Sequence, residues 1–307
     1  MGFRQKIEQT ILPLKEDMAS NNFWVNLFVD AFVEGGLFDM ANIKQAAQMY
    51  NNNPEKGVWK TVALDNYREQ IPELFDSFFG TIGDEDGSNY KIRFGFVYEP
   101  DFDNDSYMRT IYYPEVKTVM IWVPLKTKEV STSTLFSFSG SKKFYETLKH
   151  ELTHAIDIIR VDIKNSVDIT DLDMNSYNSD SEEENNKKYF NNTMEIHAFI
   201  SGLVSIIDDA VKAYGPEILT RDVFSSKDKF KEFVVYAVSL LNKKHYNGYT
   251  KKQISSVVKA SKEISPLLLG GHDYTEYVML IDNLNENNFK KIMKKLLIYY
   301  HSRGLIK

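Results

Sequence analysis

The chain reads as an α+β protein: a helical N-terminal part, a middle part with a small sheet and two long helices, and a helical C-terminal part. Three observations predict this. Apolar residues recur at three- and four-residue steps from Met1 to about Phe79. A period of two then takes over in KIRFGFVYE, Lys91 to Glu99. From Ser141 onward the helical period returns, interrupted mainly by one long polar stretch. The corresponding divisions are residues 1–88, 89–215 and 216–307.

In the first part, FWVNLFVDAFVEGGLF and LDNYREQIPELFDSFF carry helical apolar spacing, broken at Gly35-Gly36 and in the polar run Asn51 to Lys56. The turn-rich GTIGDEDGSN, Gly80 to Asn89, ends it. Ile92, Phe94, Phe96 and Tyr98 then alternate with their neighbours as in a half-buried strand. After the acidic loop PDFDNDS, a second β-like run spans Val116 to Leu125 and is ended by Pro124.

Ser141 can cap a helix running to Arg160, with Phe144, Leu148, Leu152, Ala155 and Ile159 on one face. Lys164 to Lys188 is rich in Asn, Asp, Ser and Glu and reads as a loop or partly disordered insertion. A further helix begins at Asn192 or Thr193, both good caps, and stops at Gly215. Amphipathic patterns follow over Lys227 to Lys243, Lys251 to Ser261 and Glu286 to Ser302.

Composition removes several function classes. With 307 residues, 43% apolar and 26% charged, the chain can bury a sizeable core and carries no apolar run long enough to cross a bilayer, so no membrane span is expected. A net charge of -6 argues against nucleic acid as a general partner, and Lys290 to Lys295 reads as the solvated face of a helix. The N-terminus has no uninterrupted apolar core of a secretory signal, and Lys6 spoils a myristoylation pattern, so a cytoplasmic chain is expected. Zero cysteines exclude disulfides, thiol nucleophiles and cysteine-held zinc, leaving His, Asp and Glu as metal ligands.

The stretch LKHELTHAID, Leu148 to Asp157, lies on the helix that starts after Ser141. Residues four apart share a helix face, so His150 and His154 can present both imidazoles to one ion while Glu151 reaches a water bound to it. Zinc held in this way lowers the pKa of its water towards 7, and Glu151 is the expected general base. The bland reading, a helix with two surface histidines, requires that a specific spacing arise by chance among only six histidines.

A third His in a HExxHxxGxxH arrangement is absent, because Asp157 and Arg160 occupy the positions that would need Gly and His. The third ligand must come from a later helix. Glu195 in FNNTMEIHAFI lies in that helix's first turn, where unsatisfied amides favour a carboxylate, and His197 is the rival two positions on. Asp157 can accept a ligand's ring N–H. Tyr189, His197, Arg160, His272 and Tyr274 are candidates to stabilise an oxyanion.

HELTHA followed by a helix bearing Glu195 resembles the gluzincin metallopeptidases, the thermolysin-like class in which two histidines and a later glutamate bind zinc. The resemblance covers about Tyr90 to Gly215, and only HELTHA is sharp. Thermolysin-like enzymes carry the later Glu in an Asn-Glu-x-x-Ser-Asp setting about half as far downstream. Glu195-Ile196-His197-Ala198 is more similar to short HExxH metallopeptidases encoded by tailed bacteriophages and bacteria. What this implies is a zincin-like core, zinc on His150, His154 and Glu195, and a zinc-dependent endopeptidase acting on protein or peptide. By analogy with such folds, the run Val116 to Leu125 is the expected edge strand on which an extended substrate adds.

Other patterns are weaker. DLDMNSYNSDSE places Asp171, Asp173, Asn175 and Glu182 at calcium-loop positions but has Ser176 where the turn needs Gly. Gly270 to Tyr274 is an expected loop, and Asn191 begins a glycosylation sequon that no signal peptide brings into use. The alternative function is a structural or assembly protein in which the ion mainly ties two helices together, part of a larger assembly and virion-associated for a phage-encoded chain.

Overall fold

The computed structural model describes residues 21–79, 89–101, 107–163 and 181–306. In chain order the elements are α1 (residues 21–32, continued by a π turn over Val33–Leu37), α2 (Ile43–Asn52), β1 (Val58–Ala63), α3 (Asp65–Gln70) and α4 (Pro72–Phe79). Then come β2 (Lys91–Tyr98), β3 (Arg109–Tyr113), β4 (Thr118–Leu125), α5 (Thr132–Ser139) and α6 (Lys142–Ile163). The last six are α7 (Glu182–Asn191), α8 (Thr193–Tyr214), α9 (Lys227–His245), α10 (Lys251–Glu263), α11 (Thr275–Asn283) and α12 (Glu286–Ser302). Among the described residues no helix is long and apolar enough to cross a membrane.

The α+β expectation holds: the described residues form one four-stranded sheet of order β1-β2-β4-β3. β1 is antiparallel to β2, β2 is parallel to β4, and β3 is antiparallel to β4. Two of these strands go beyond the two expected. β1 lies inside the stretch that apolar spacing reads as helical, and β3 follows the acidic loop. Over five or six residues a strand and a buried helical turn share the same apolar count, and the β-branched and aromatic content of VWKTVA and RTIYY is what favours the strand.

β4 is an interior strand, which corrects the expectation that it forms the edge. It pairs with β2 from Lys91↔Thr118 to Tyr98↔Leu125 on one side and with β3 from Arg109↔Trp122 to Tyr113↔Thr118 on the other. All but one of its residues are buried, the near-continuous apolar pattern of a strand covered on both sides. Pro124 does not end it, since Leu125 still pairs with Tyr98. Among the described residues the open edges are β1 and β3.

The chain divides into two compact units. The first, Trp24–Leu172 with Gly248–Gly270, contains the sheet, whose inner face packs under an aromatic layer. Phe94 and Phe96 of β2 meet Phe32, Phe38, Phe138 and Phe144 at ring-centroid distances of 5.3 to 6.0 Å. Phe144 is fully buried, so truncating it to Ala would cost about 3–5 kcal/mol. α1 breaks at Gly35-Gly36 as expected, with Gly36 in a non-helical conformation.

The second unit, Asp173–Asn247 and Gly271–Lys307 with the N-terminal residues to Phe23, is helical among its described residues. Ile206, Ile207 and Ala210 of α8 and Val234, Ala237 and Val238 of α9 join Leu280 of α11 and Leu296 and Tyr300 of α12 in one core. α7 corrects the reading of Lys164 to Lys188 as loop over its last residues: Ser181 caps a helix by accepting from the Glu184 N–H. Asn191, at the end of α7, accepts from the Asn285 backbone and side chain at 2.9 and 2.8 Å and donates to the Asn283 carbonyl at 2.9 Å. That engagement leaves its amide committed to the fold, not to a glycan. Lys290, Lys291, Lys294 and Lys295 are exposed on α12, the solvated face expected of them.

Gly95 sits in the middle of β2 because the Trp59 side chain of the neighbouring strand folds over it: a Cβ there would lie 2.7 Å from the indole and closer still to the Val58 carbonyl. Gly95→Val should lower the urea unfolding midpoint by the equivalent of about 2–3 kcal/mol, and an unchanged midpoint would show that Trp59 can swing away.

Candidate metal centre

The site is built on α6. Ser141 caps it as expected, its Oγ accepting from the Phe144 N–H at 3.2 Å and its hydroxyl donating to the Leu267 carbonyl. Phe144, Leu148, Leu152, Ala155 and Ile159 are all fully buried, the stripe that the apolar spacing predicts. At about 100° per residue, His150 and His154 then lie on the far side of the helix from that stripe, and Glu151 about 60° from its centre, towards the sheet's edge.

Nε2 of His150 and Nε2 of His154 are 3.0 Å apart, with the rings edge to face at a centroid distance of 4.6 Å. Two nitrogens held tetrahedrally at ordinary zinc–nitrogen lengths lie about 3.3 Å apart, so the pair is already close to the spacing one ion needs. His154 is only 2% exposed and His150 is half-buried.

Glu195 lies in the first turn of α8, which Asn192 caps by accepting from the Met194 N–H at 2.8 Å. It is 5% exposed, and the positive end of the helix favours its carboxylate there. One ligand atom from each of His150, His154 and Glu195 can be chosen so that all lie within 4.8 Å of one another. His197 is not part of that group, as two positions along a helix point to different sides. Two imidazoles and a carboxylate, with no thiolate, form a donor set suited to a divalent transition metal.

Glu151 is held by a residue that the sequence reading passes over. The Thr110 hydroxyl of β3 donates to Glu151 Oε2 at 2.5 Å. Two residues along the same face of β3, the Tyr112 hydroxyl donates to Asp162 Oδ2 at 2.7 Å, near the end of α6. Tyr90 donates to the same oxygen, and Lys117 Nζ lies 3.7 Å from it. Lys117 takes the left-handed conformation, at φ 49°, in the turn between β3 and β4. Burial first, and then the bond to Asp162, push the Tyr112 hydroxyl well above its ordinary range, so it remains a donor. The signal for Thr110 and Tyr112 was the alternation in RTIYY, closed by Pro114.

The other candidates are distributed as follows. Asp157 lies on α6, half-buried. The Arg160 guanidinium stacks 4.3 Å from the Phe78 ring. Tyr189 packs on the core of the helical unit, with its ring 5.0 Å from Phe190 and 6.2 Å from Phe199. His272 is buried, its backbone bonded at both N–H and carbonyl to the Asn242 side chain, and Tyr274 is 43% exposed at the start of α11. The calcium-loop positions Asp171, Asp173 and Asn175 and most of the acidic loop PDFDNDS lie outside the described residues.

Comparison with family models, with curated proteins and with solved structures gives no match.

Asp162 accepts from two tyrosine hydroxyls and forms an ion pair with Lys117 on one carboxylate. Asp162→Ala should therefore cost about 1–3 kcal/mol in urea unfolding, because two tyrosine hydroxyls lose their acceptor, and an unchanged midpoint would show that water replaces it at no cost.

Proposed function

We propose that the chain is a zinc-dependent endopeptidase. The observation that carries the reading is the HExxH helix itself: two imidazole nitrogens 3.0 Å apart, in a group with the Glu195 carboxylate, beside a glutamate that belongs to no ligand set. His150, His154 and Glu195 hold the ion. When bound, zinc supplies a Lewis acid that polarises the scissile carbonyl and lowers the pKa of water towards 7.

Glu151 does the proton work. Its carboxylate takes a proton from the attacking water and delivers it to the leaving amine, a role that needs an acid–base group beside the reacting atoms and outside the coordination set. The hydroxyl of Thr110 bonds one of its oxygens and leaves the other for that water.

Substrate is a protein or peptide segment in extended form. It adds to β3, which replaces β4 in this role because β3 is the open edge next to Glu151. Natural proteins blunt exposed edges with prolines, charges or bulges. β3 has one charged residue, Arg109, and no proline, and it exposes Ile111 and Tyr113 by 42% and 40%. An open edge of that composition is suited to pairing with a second chain.

Elemental analysis of purified wild type, His154→Ala, Glu195→Ala and Glu151→Gln, with a mixed-peptide cleavage assay on the same samples, tests the reading. One zinc per chain is expected in wild type and Glu151→Gln, and less in the two ligand variants. Chelator-sensitive cleavage in wild type should fall about 100-fold or more in Glu151→Gln. Zinc without cleavage would leave the ion a structural tie between helices, and no metal would overturn the site. Ile111→Pro, which disturbs the β3 edge, should raise KM at least several-fold without loss of zinc; unchanged kinetics would remove β3 from substrate binding.

A further inference from the structure

The edge strand is fastened to the motif helix through side chains that the proposed chemistry does not itself require. We propose that Thr110 is a positioning residue for Glu151: its hydroxyl fixes Oε2 so that the other carboxylate oxygen is presented in one orientation to the water it activates. The inference rests on the peptidase reading for its chemistry, but on the described geometry for its substance.

The Thr110 hydroxyl donates to Glu151 Oε2 at 2.5 Å, within the range of a direct O–H···O hydrogen bond. A glutamate on a helix has three free side-chain torsions, and a carboxylate free to rotate presents its oxygens to the water in many geometries. Thr110 is well suited to end that freedom. As a β-branched residue in a strand it has few χ1 states, so its hydroxyl direction is set by the backbone.

The backbone is set in turn. Thr110 pairs with Ile121 of the buried β4, and Tyr112 ties the same strand to α6 through Asp162. The hydroxyl therefore approaches Glu151 from a strand fixed on two sides. A serine would keep the donor with less restriction, and a valine would keep the shape and remove the donor.

The test uses the full chain as wild type, Thr110→Val and Thr110→Ser, with zinc content, steady-state kinetics on a cleaved peptide, and NMR of protein carrying side-chain carboxyl 13C in glutamate, with Glu151→Gln used to assign the signal. Thr110→Val should retain one zinc and an unchanged KM while kcat falls about 10- to 100-fold, the scale of a small misplacement of a reacting group. Thr110→Ser should recover kcat to within several-fold. The Glu151 carboxyl signal should be single and distinct in wild type and shift towards the free-glutamate position in Thr110→Val.

Wild-type kcat in Thr110→Val, with the Glu151 signal unmoved, overturns the positioning role and leaves the peptidase reading standing. If wild type cleaves no peptide, the NMR comparison still decides. A Glu151 signal that moves in Thr110→Val and returns in Thr110→Ser upholds the positioning role while the peptidase reading falls, and a signal identical in all three overturns the positioning role as well.

Discussion

Burial of the apolar stripe of α6 is the constraint on which the candidate centre depends. Phe144, Leu148, Leu152, Ala155 and Ile159 are each 0% exposed, and a helix with that face committed has no rotational freedom left. Its far side must then carry His150 and His154, and its flank must carry Glu151. The helix thereby places the two imidazoles together, with their Nε2 atoms 3.0 Å apart. Groups whose side-chain freedom is already restricted by folding lose less of it on binding a ligand.

The aromatic layer makes that commitment rigid. Phe38, Phe138 and Phe144 lie within 5.3 to 6.2 Å of one another, centroid to centroid, and Phe96 joins them from β2. Rings in tilted and edge-to-face contact resist sliding more than aliphatic chains do, since each has a preferred geometry with several neighbours at once. Substitution in this layer would therefore reach the histidines through the helix axis, although none of these rings belongs to the centre.

What the sequence made legible follows from element length. α6, α8 and α12 span 22, 22 and 17 residues, long enough for a period of 3.6 to separate from chance, and the caps of the first two at Ser141 and Asn192 are side chains with a clear physical role. HELTH was legible for the same reason, since its spacing has meaning only on a helix. β1 and β3 are six and five residues long and α5 is eight, too short for either period to separate from chance. Strand order was not legible at all: nothing within VKTVMIWVPL distinguishes an edge from an interior position except its unbroken apolar run, which its burial now explains.

β3 and the contact it makes with Glu151 are hidden in the sequence for one reason. A helix motif names the residues on its own element, whereas a carboxylate's orientation is decided by whatever lies across from it, and that partner comes from a segment 41 residues earlier in the chain. Once β3 is the edge and β4 is interior, alternation along the strand sends Thr110 and Tyr112 towards α6 and Arg109, Ile111 and Tyr113 to the opposite face. The same five residues thus have two surfaces with separate tasks: one holds Glu151 and Asp162 on the helix, and the other is left open at the rim of the sheet. A short strand can do both only because its largely buried partner β4 fixes its register, so that β3 is held from the same core that holds α6.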